Sequence, residues 1–263
     1  MTRTLEGQKT LLSRSTHHFG YDPIHDEIVM PSPLAQAIIT FRGGASGEEP
    51  PRRVIQGPKT KILGSGGDGN VDRVFIDPAN GEYYLPVAPS TILVFDREAS
   101  GDVPPKRVLS FGAPGDRIRI GMPVAVDPVR NLLVVNASQR GFMVFDRTVS
   151  GNNPEPKGII AGPATGVGNH GYGAVEVYAP KGLIIAGCFG GSVCAWGVED
   201  YGDVAPRFRI PVQQLTGYVP SGIALNPANR EIIISAVVQR SDQKPPSGIV
   251  NATMTFTWPE VFQ

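Results

Sequence analysis

Residues 89–112 read PSTILVFDREASGDVPPKRVLSFG. Two short apolar runs, TILVF and RVLSF, flank a linker punctuated by Gly101, Asp102, Pro104 and Pro105. Apolar runs rich in β-branched and aromatic residues, bounded by Gly, Pro, Asn or Asp, are the pattern of β-strands. Weakened copies of the whole phrase stand at residues 36–57 (QAIITFRGGASGEEPPRRVIQG), 140–162 (RGFMVFDRTVSGNNPEPKGIIAG) and 191–212 (GSVCAWGVEDYGDVAPRFRIPV). The copies recur at roughly fifty residues, a period that belongs to repeat arrays.

Outward from each copy, two further strand-like runs complete a unit. HHFGYDP, VDRVFIDP, MPVAVDP, AVEVYAP and SGIALNP serve as first strands. DEIVMPS, GEYYLPV, NLLVVNA, GLIIAGC and EIIISAV serve as second strands. The third are AIITFRG, ILVFDRE, FMVFDRT, SVCAWGV and ATMTFTW; the fourth are RRVIQG, KRVLSFG, KGIIAG and RFRIPV. Their near-continuous apolar character implies burial on both faces, as when small sheets stack face to face. Neither periodicity nor length argues for a helix.

The fifth unit has no fourth strand of its own, whereas RTLEGQKT at residues 3–10 resembles RRVIQGPKT at residues 52–60. The expected fold is therefore all-β: a five-bladed β-propeller, residues 1–263 forming one domain, closed by pairing of Arg3–Gly7 with the last blade. Closure removes the sheet edges that a linear array would expose.

The chain has 263 residues, is 41% hydrophobic and carries a formal net charge of +0. A neutral chain has no field to hold polyanions, so nucleic acid is not an expected partner. No apolar run reaches the length that spans a bilayer, so no membrane span is expected either. Residues 1–18 show no apolar core or small-residue cleavage site, and the chain reads as cytoplasmic as written, or as exported if a leader has been removed.

Several repeated residues read as structural. Asp22, Asp77 and Asp127 each precede a proline at matching turns, where the carboxylate accepts backbone N–H bonds and Pro presets φ. Phe41, Phe95, Phe145, Trp196 and Phe256 hold one site in each third strand and read as packing between sheets. Arg97 and Arg147 read as local partners. Asp102 and Asp203 belong to linker turns. Cys188 and Cys194, in CFGGSVC, flank a Gly-rich turn. They read either as two small buried hydrophobes or as a cross-strand disulfide.

The phrase from Ile92 to Gly112, with Met122–Pro128 and Pro220–Pro227 as following strands, resembles the NHL and YVTN-type β-propeller repeats. It looks most like bacterial propellers built of this repeat. The resemblance covers essentially the whole chain and implies a fold rather than an activity, because propellers host binding, hydrolysis and lyase chemistry alike. The NG-L-SPDG-like segment of metal-binding lactonases is missing.

In propellers, ligands gather where the fourth-to-first and second-to-third strand loops share a rim. Here the candidate ligand-binding residues are His17, His18, Asp72, Arg73, Asp116, Arg117, Asn169 and His170. Of these, His17, His18, Asp72 and His170 have the chemistry of divalent-metal ligands. The inner strands also offer Glu176, outside any recognisable motif. The expected function is a scaffold that binds a small molecule or a protein at this rim; a metal-assisted hydrolase or lyase is the alternative. No cofactor other than such a metal is suggested.

Overall fold

The computed structural model describes residues 3–13, 18–62, 73–87, 90–112, 123–137, 140–167, 174–238 and 251–263. Nearly all regular structure is β, arranged as five small, mainly antiparallel sheets that make a five-bladed β-propeller. The strands fall where the apolar runs lie. Sheet 1 comprises Gly20–Asp22, Glu27–Ser32, Ala37–Arg42 and Arg53–Gln56; sheet 2 comprises Phe75–Asp77, Glu82–Val87, Thr91–Asp96 and Arg107–Ser110. Sheet 3 comprises Val124–Asp127, Leu132–Asn136, Phe142–Asp146 and Gly158–Ile160; sheet 4 comprises Val175–Tyr178, Leu183–Cys188, Ser192–Gly197 and Phe208–Ile210. Sheet 5 has three described strands, Val219–Asn226, Glu231–Val237 and Asn251–Thr257. The four main strands of a blade pair antiparallel in sequence order, and sheet 2 gains a fifth, two-residue strand, Gly151–Asn152, parallel to Arg107–Ser110.

Two compact units divide the chain: residues 1–122 with 148–155, and residues 123–147 with 156–263. In the first, sheets 1 and 2 stack through Val29, Ile38 and Ile55 against Tyr83, Leu85, Leu93 and Phe95. The second unit has two such layers. Sheets 3 and 4 meet through Val134, Phe142 and Val144 against Ile184, Ala186 and Trp196. Sheets 4 and 5 meet through Leu183, Ile185 and Val193 against Ile232, Ile234 and Ala236. Phe41, Phe95, Phe145 and Trp196 are all buried, as expected of sheet-to-sheet packing, and Phe256 packs half-buried in the last layer.

A clamp joins successive blades. Gly101, in the linker of sheet 2, exchanges backbone hydrogen bonds with the last strand of sheet 1: its N–H donates to the Val54 carbonyl at 2.7 Å, and Gln56 N–H donates back at 3.1 Å. One residue on, the Asp102 carboxylate accepts the Lys59 N–H at 2.7 Å, satisfying a donor of the 3₁₀ turn Pro58–Thr60. Gly202 and Asp203 repeat both contacts on Ile159, Ala161 and Ala164. Gly57 sits at φ +134, and a Cβ there would lie 2.5 Å from the Asp102 carboxyl, so only glycine fits. Asp102 and Asp203 are therefore more than turn formers: they tie one blade to the next.

The N-terminal segment makes the same clamp. Leu5 bridges Gly47 in parallel, Gly47 N–H donates to the Thr4 carbonyl at 2.6 Å, and the Glu48 carboxylate accepts the Lys9 N–H at 3.4 Å. Arg3–Thr10 thus behaves toward sheet 1 as Arg53–Thr60 behaves toward sheet 2. This is the role of a fourth strand belonging to a preceding blade. A pairing with strand Asn251–Thr257 is not among those of the described residues.

The short helices depart from the sequence reading, and the cysteines resolve its two alternatives. One-turn helices form at Val212–Thr216 and Pro259–Phe262. They are too short for periodicity to reveal. Thr216 Oγ1 donates to the Val212 carbonyl at 2.7 Å, and Gly217 closes the first helix in the left-handed region. The second buries Val261 and Phe262 with Trp258 in the sheet 4–5 layer, so the C-terminal aromatics are core. Cys188 and Cys194 form a disulfide across the sheet 4 hairpin. Both are also buried, so the two readings of this pair are compatible.

Candidate functional site

Charge is concentrated first at the turns between first and second strands. Glu27 and Glu82 open the second strands of sheets 1 and 2, and both are buried. Arg107 grips Glu82 with two bonds of 2.7 Å, Lys106 lies at 2.9 Å, and Tyr84 donates its hydroxyl at 3.0 Å. Burial alone would push the Glu82 carboxyl up, but the bonds from Arg107, Lys106 and Tyr84 prevail and hold it at about 2. Glu27 is likewise lowered against its burial, by Arg53 at 2.5 Å and Arg97 at 3.1 Å. Arg97 is thus a tie between sheets 1 and 2, as well as a partner of adjacent Glu98. Arg147 does stay local, on the Asn131 side chain.

These acids bind the protein to itself. A carboxyl whose folded value lies below its ordinary 4.5 stabilises the fold above that pH, and loses the contribution as pH falls. Stability should therefore decline between pH 4.5 and about 2, and more shallowly in Glu82→Gln. Urea unfolding across that range measures it; parallel slopes for the two proteins would refute the assignment.

The Asp-Pro turns are structural too. Asp22 accepts the Ile24 and His25 N–H groups at 2.9 and 3.0 Å and meets the His25 ring at 2.8 Å. Asp127 accepts the Val129 and Arg130 N–H groups, both at 3.0 Å.

Most of the candidate rim residues, His17, Asp72, Asp116, Arg117, Asn169 and His170, lie outside the described residues. His18 lies with its ring 5.2 Å from that of Phe75 at the entrance to sheet 2. Arg73 lies two residues before the inner strand of that sheet. Among the described residues, no three His, Cys, Asp or Glu side chains gather as a metal-binding group.

A cleft opens in the second unit where sheets 4 and 5 meet. It is lined by Ala174, Gly187, Cys188, Gly191, Ser192, Val219, Pro220, Ser221 and Ile223. Three loops of two types contribute. Ala174 follows the loop entering sheet 4, Gly191 and Ser192 belong to its second-to-third hairpin, and Val219–Ser221 begin sheet 5. These are the loops that share the ligand rim of a propeller. The walls are mostly apolar. Ser192 accepts the Arg209 Nε–H at 3.0 Å, and Ser221 bonds to Ser235 at 3.1 Å.

Glu176 stands one strand row from this cleft. Val175 and Val177 pack toward sheet 3, whereas Tyr178 packs toward sheet 5. Strand alternation puts Glu176 on the Tyr178 face, with Ala174 of the cleft wall. It pairs across the ladder with Ile185, two residues from Gly187. Although the residue as a whole is only partly buried, apolar surroundings push its carboxyl up to about 7. Among the described residues no hydrogen bond or ion pair engages it. Such a group exchanges a proton near neutrality and favours a positive neighbour.

Compared with known proteins, the chain matches no family model and no curated protein.

Proposed function

We propose that the chain is a propeller of the NHL/YVTN type that acts as a rigid scaffold, binding a small molecule or a protein at its loop-bearing rim. The observation that carries this reading is the division of labour between polar groups. Asp22, Asp127, Glu27 and Glu82 are consumed in holding turns and sheets together. The cleft at Gly187, Ser192 and Pro220 lies instead on the rim where propeller ligands collect.

The test is a thermal-melt and calorimetric screen of charged and neutral metabolites, paired with turnover assays on esters and lactones. A ligand at 100 times its Kd should add about 2.7 kcal/mol of stability without being converted. Metal-dependent turnover abolished by a chelator would replace this reading with hydrolase or lyase chemistry around His17, His18, Asp72 and His170.

A further inference from the structure

We propose that the Cys188–Cys194 disulfide is a reversible redox latch: when a dithiol reduces it, the tip of the sheet 4 hairpin is freed while the propeller stays folded. The inference goes beyond the scaffold reading and does not depend on it. Its first support is the repeat. The two cysteines sit diagonally across the hairpin, Cys188 opposite Ser192 and Cys194 opposite Ala186. The same two positions are held by Ser32 and Ile39 in sheet 1, and by Val87 and Leu93 in sheet 2. Sheet 3 has Ala137 and Met143 there, and sheet 5 has Ala236 and Met254. Val87 with Leu93, and Ala236 with Met254, pack in their inter-sheet layers without a crosslink. A blade of this chain therefore packs without the bond.

The second support is the hairpin tip. Gly190 and Gly191 follow Phe189 with left-handed backbone angles, φ +71 and +58. Such a turn gains much backbone freedom when it opens, and a crosslink at its base limits that gain. The closed tip bridges two neighbours. Phe189 N–H donates to the Gly166 carbonyl, beyond the last strand of sheet 3, at 2.9 Å. The Gly191 carbonyl accepts the N–H of Gln213, in the helix Val212–Thr216, also at 2.9 Å. Cys188, Gly191 and Ser192 wall the cleft, so the latch also holds one side of it in shape. Both cysteines are 2% exposed whereas Phe189 is 50% exposed, so a reductant reaches the sulfurs when the tip lifts. A thiolate of the dithiol attacks one sulfur, the S–S bond breaks, and the other cysteine leaves as a thiolate that takes up a proton. The second thiol of the reductant then displaces the remaining cysteine from the mixed disulfide. Two electrons and two protons pass to Cys188 and Cys194, and the dithiol becomes a cyclic disulfide.

The experiment is amide hydrogen exchange on the full chain with and without dithiothreitol, paired with alkylation and mass measurement to count thiols. Both cysteines should become alkylable under native conditions. Exchange at the Phe189 and Gln213 amides should then quicken by at least about tenfold. Ile185 and Ile234, each in a strand bonded on both edges, should keep their protection. Oxidised glutathione should reverse the change. The variant Cys188→Ala with Cys194→Met copies the sheet 5 pair and should exchange like the reduced protein with no reductant present. A bond that yields only after urea has unfolded the chain marks a structural staple and overturns the proposal. Reduction that also strips protection from Ile185 and Ile234 overturns it too, as does reduction that leaves Phe189 and Gln213 as slow as before. Should the double variant fail to fold, the reduced wild type decides alone.

Discussion

Replacing Arg107 with Met should destabilise the protein by about 3–5 kcal/mol, because it strands a buried carboxylate. Glu82 is 2% exposed and the Arg107 side chain 12%, and the guanidinium makes both strong bonds to that carboxylate. Lys106 is half-exposed and replaces little of the lost charge. The repeat supplies its own control. In sheet 4 the positions of Glu82 and Arg107 are held by Leu183 and Phe208. The double variant Glu82→Leu with Arg107→Phe should therefore recover most of the loss, since replacing both members of a buried pair by packed hydrophobes is often close to neutral. Urea unfolding of Glu82→Leu, Arg107→Phe and the double closes the cycle. A loss below about 1 kcal/mol for Arg107→Met would mean that the pair behaves as an exposed one.

Trp196→Ala should cost a similar amount, about 3–5 kcal/mol, by opening a large cavity between sheets 3 and 4. The indole is fully buried, meets the Phe142 ring edge-on at 5.1 Å, and donates Nε1–H to the Thr165 carbonyl at 3.2 Å. The other third strands carry Phe at this site, so Trp196→Phe should keep most of the packing and lose chiefly the hydrogen bond, at about 1 kcal/mol. Trp258 remains as a fluorescent reporter in both variants. Equal losses for Ala and Phe would show that the hydrogen bond, rather than ring volume, sets the stability of this layer.

The sheets were legible because apolar runs and turn residues recur with the repeat. Position by position, Ile92–Phe95 predicts Phe142–Phe145 and Val193–Trp196, and each is a third strand. The Glu–Arg pairs were missed for a physical reason. Glu27 and Arg53 are distant in sequence, and their opposition depends on which residues meet across three strands. A visible clue existed: Glu opens the second strand where Arg opens the fourth, in sheets 1 and 2, and both are absent in sheets 3 and 4. The cleft could not be read at all. It depends on small residues, Ala174, Gly187 and Gly191, whose meaning is the space they leave. Glu176 was visible as an inner-strand carboxylate, but its desolvation arises from neighbours that no spacing rule specifies.

The clamp at Gly101–Asp102 has a bearing on how such a chain grows. Its donor half, the turn beginning at Gly57, is written in one copy, and its acceptor half, Asp102, in the next. A stretch duplicated or deleted in register carries one complete half at each border. New neighbours would then meet with matching ends already in place, so the number of copies is free to drift by whole units while the joints between them are inherited ready-made.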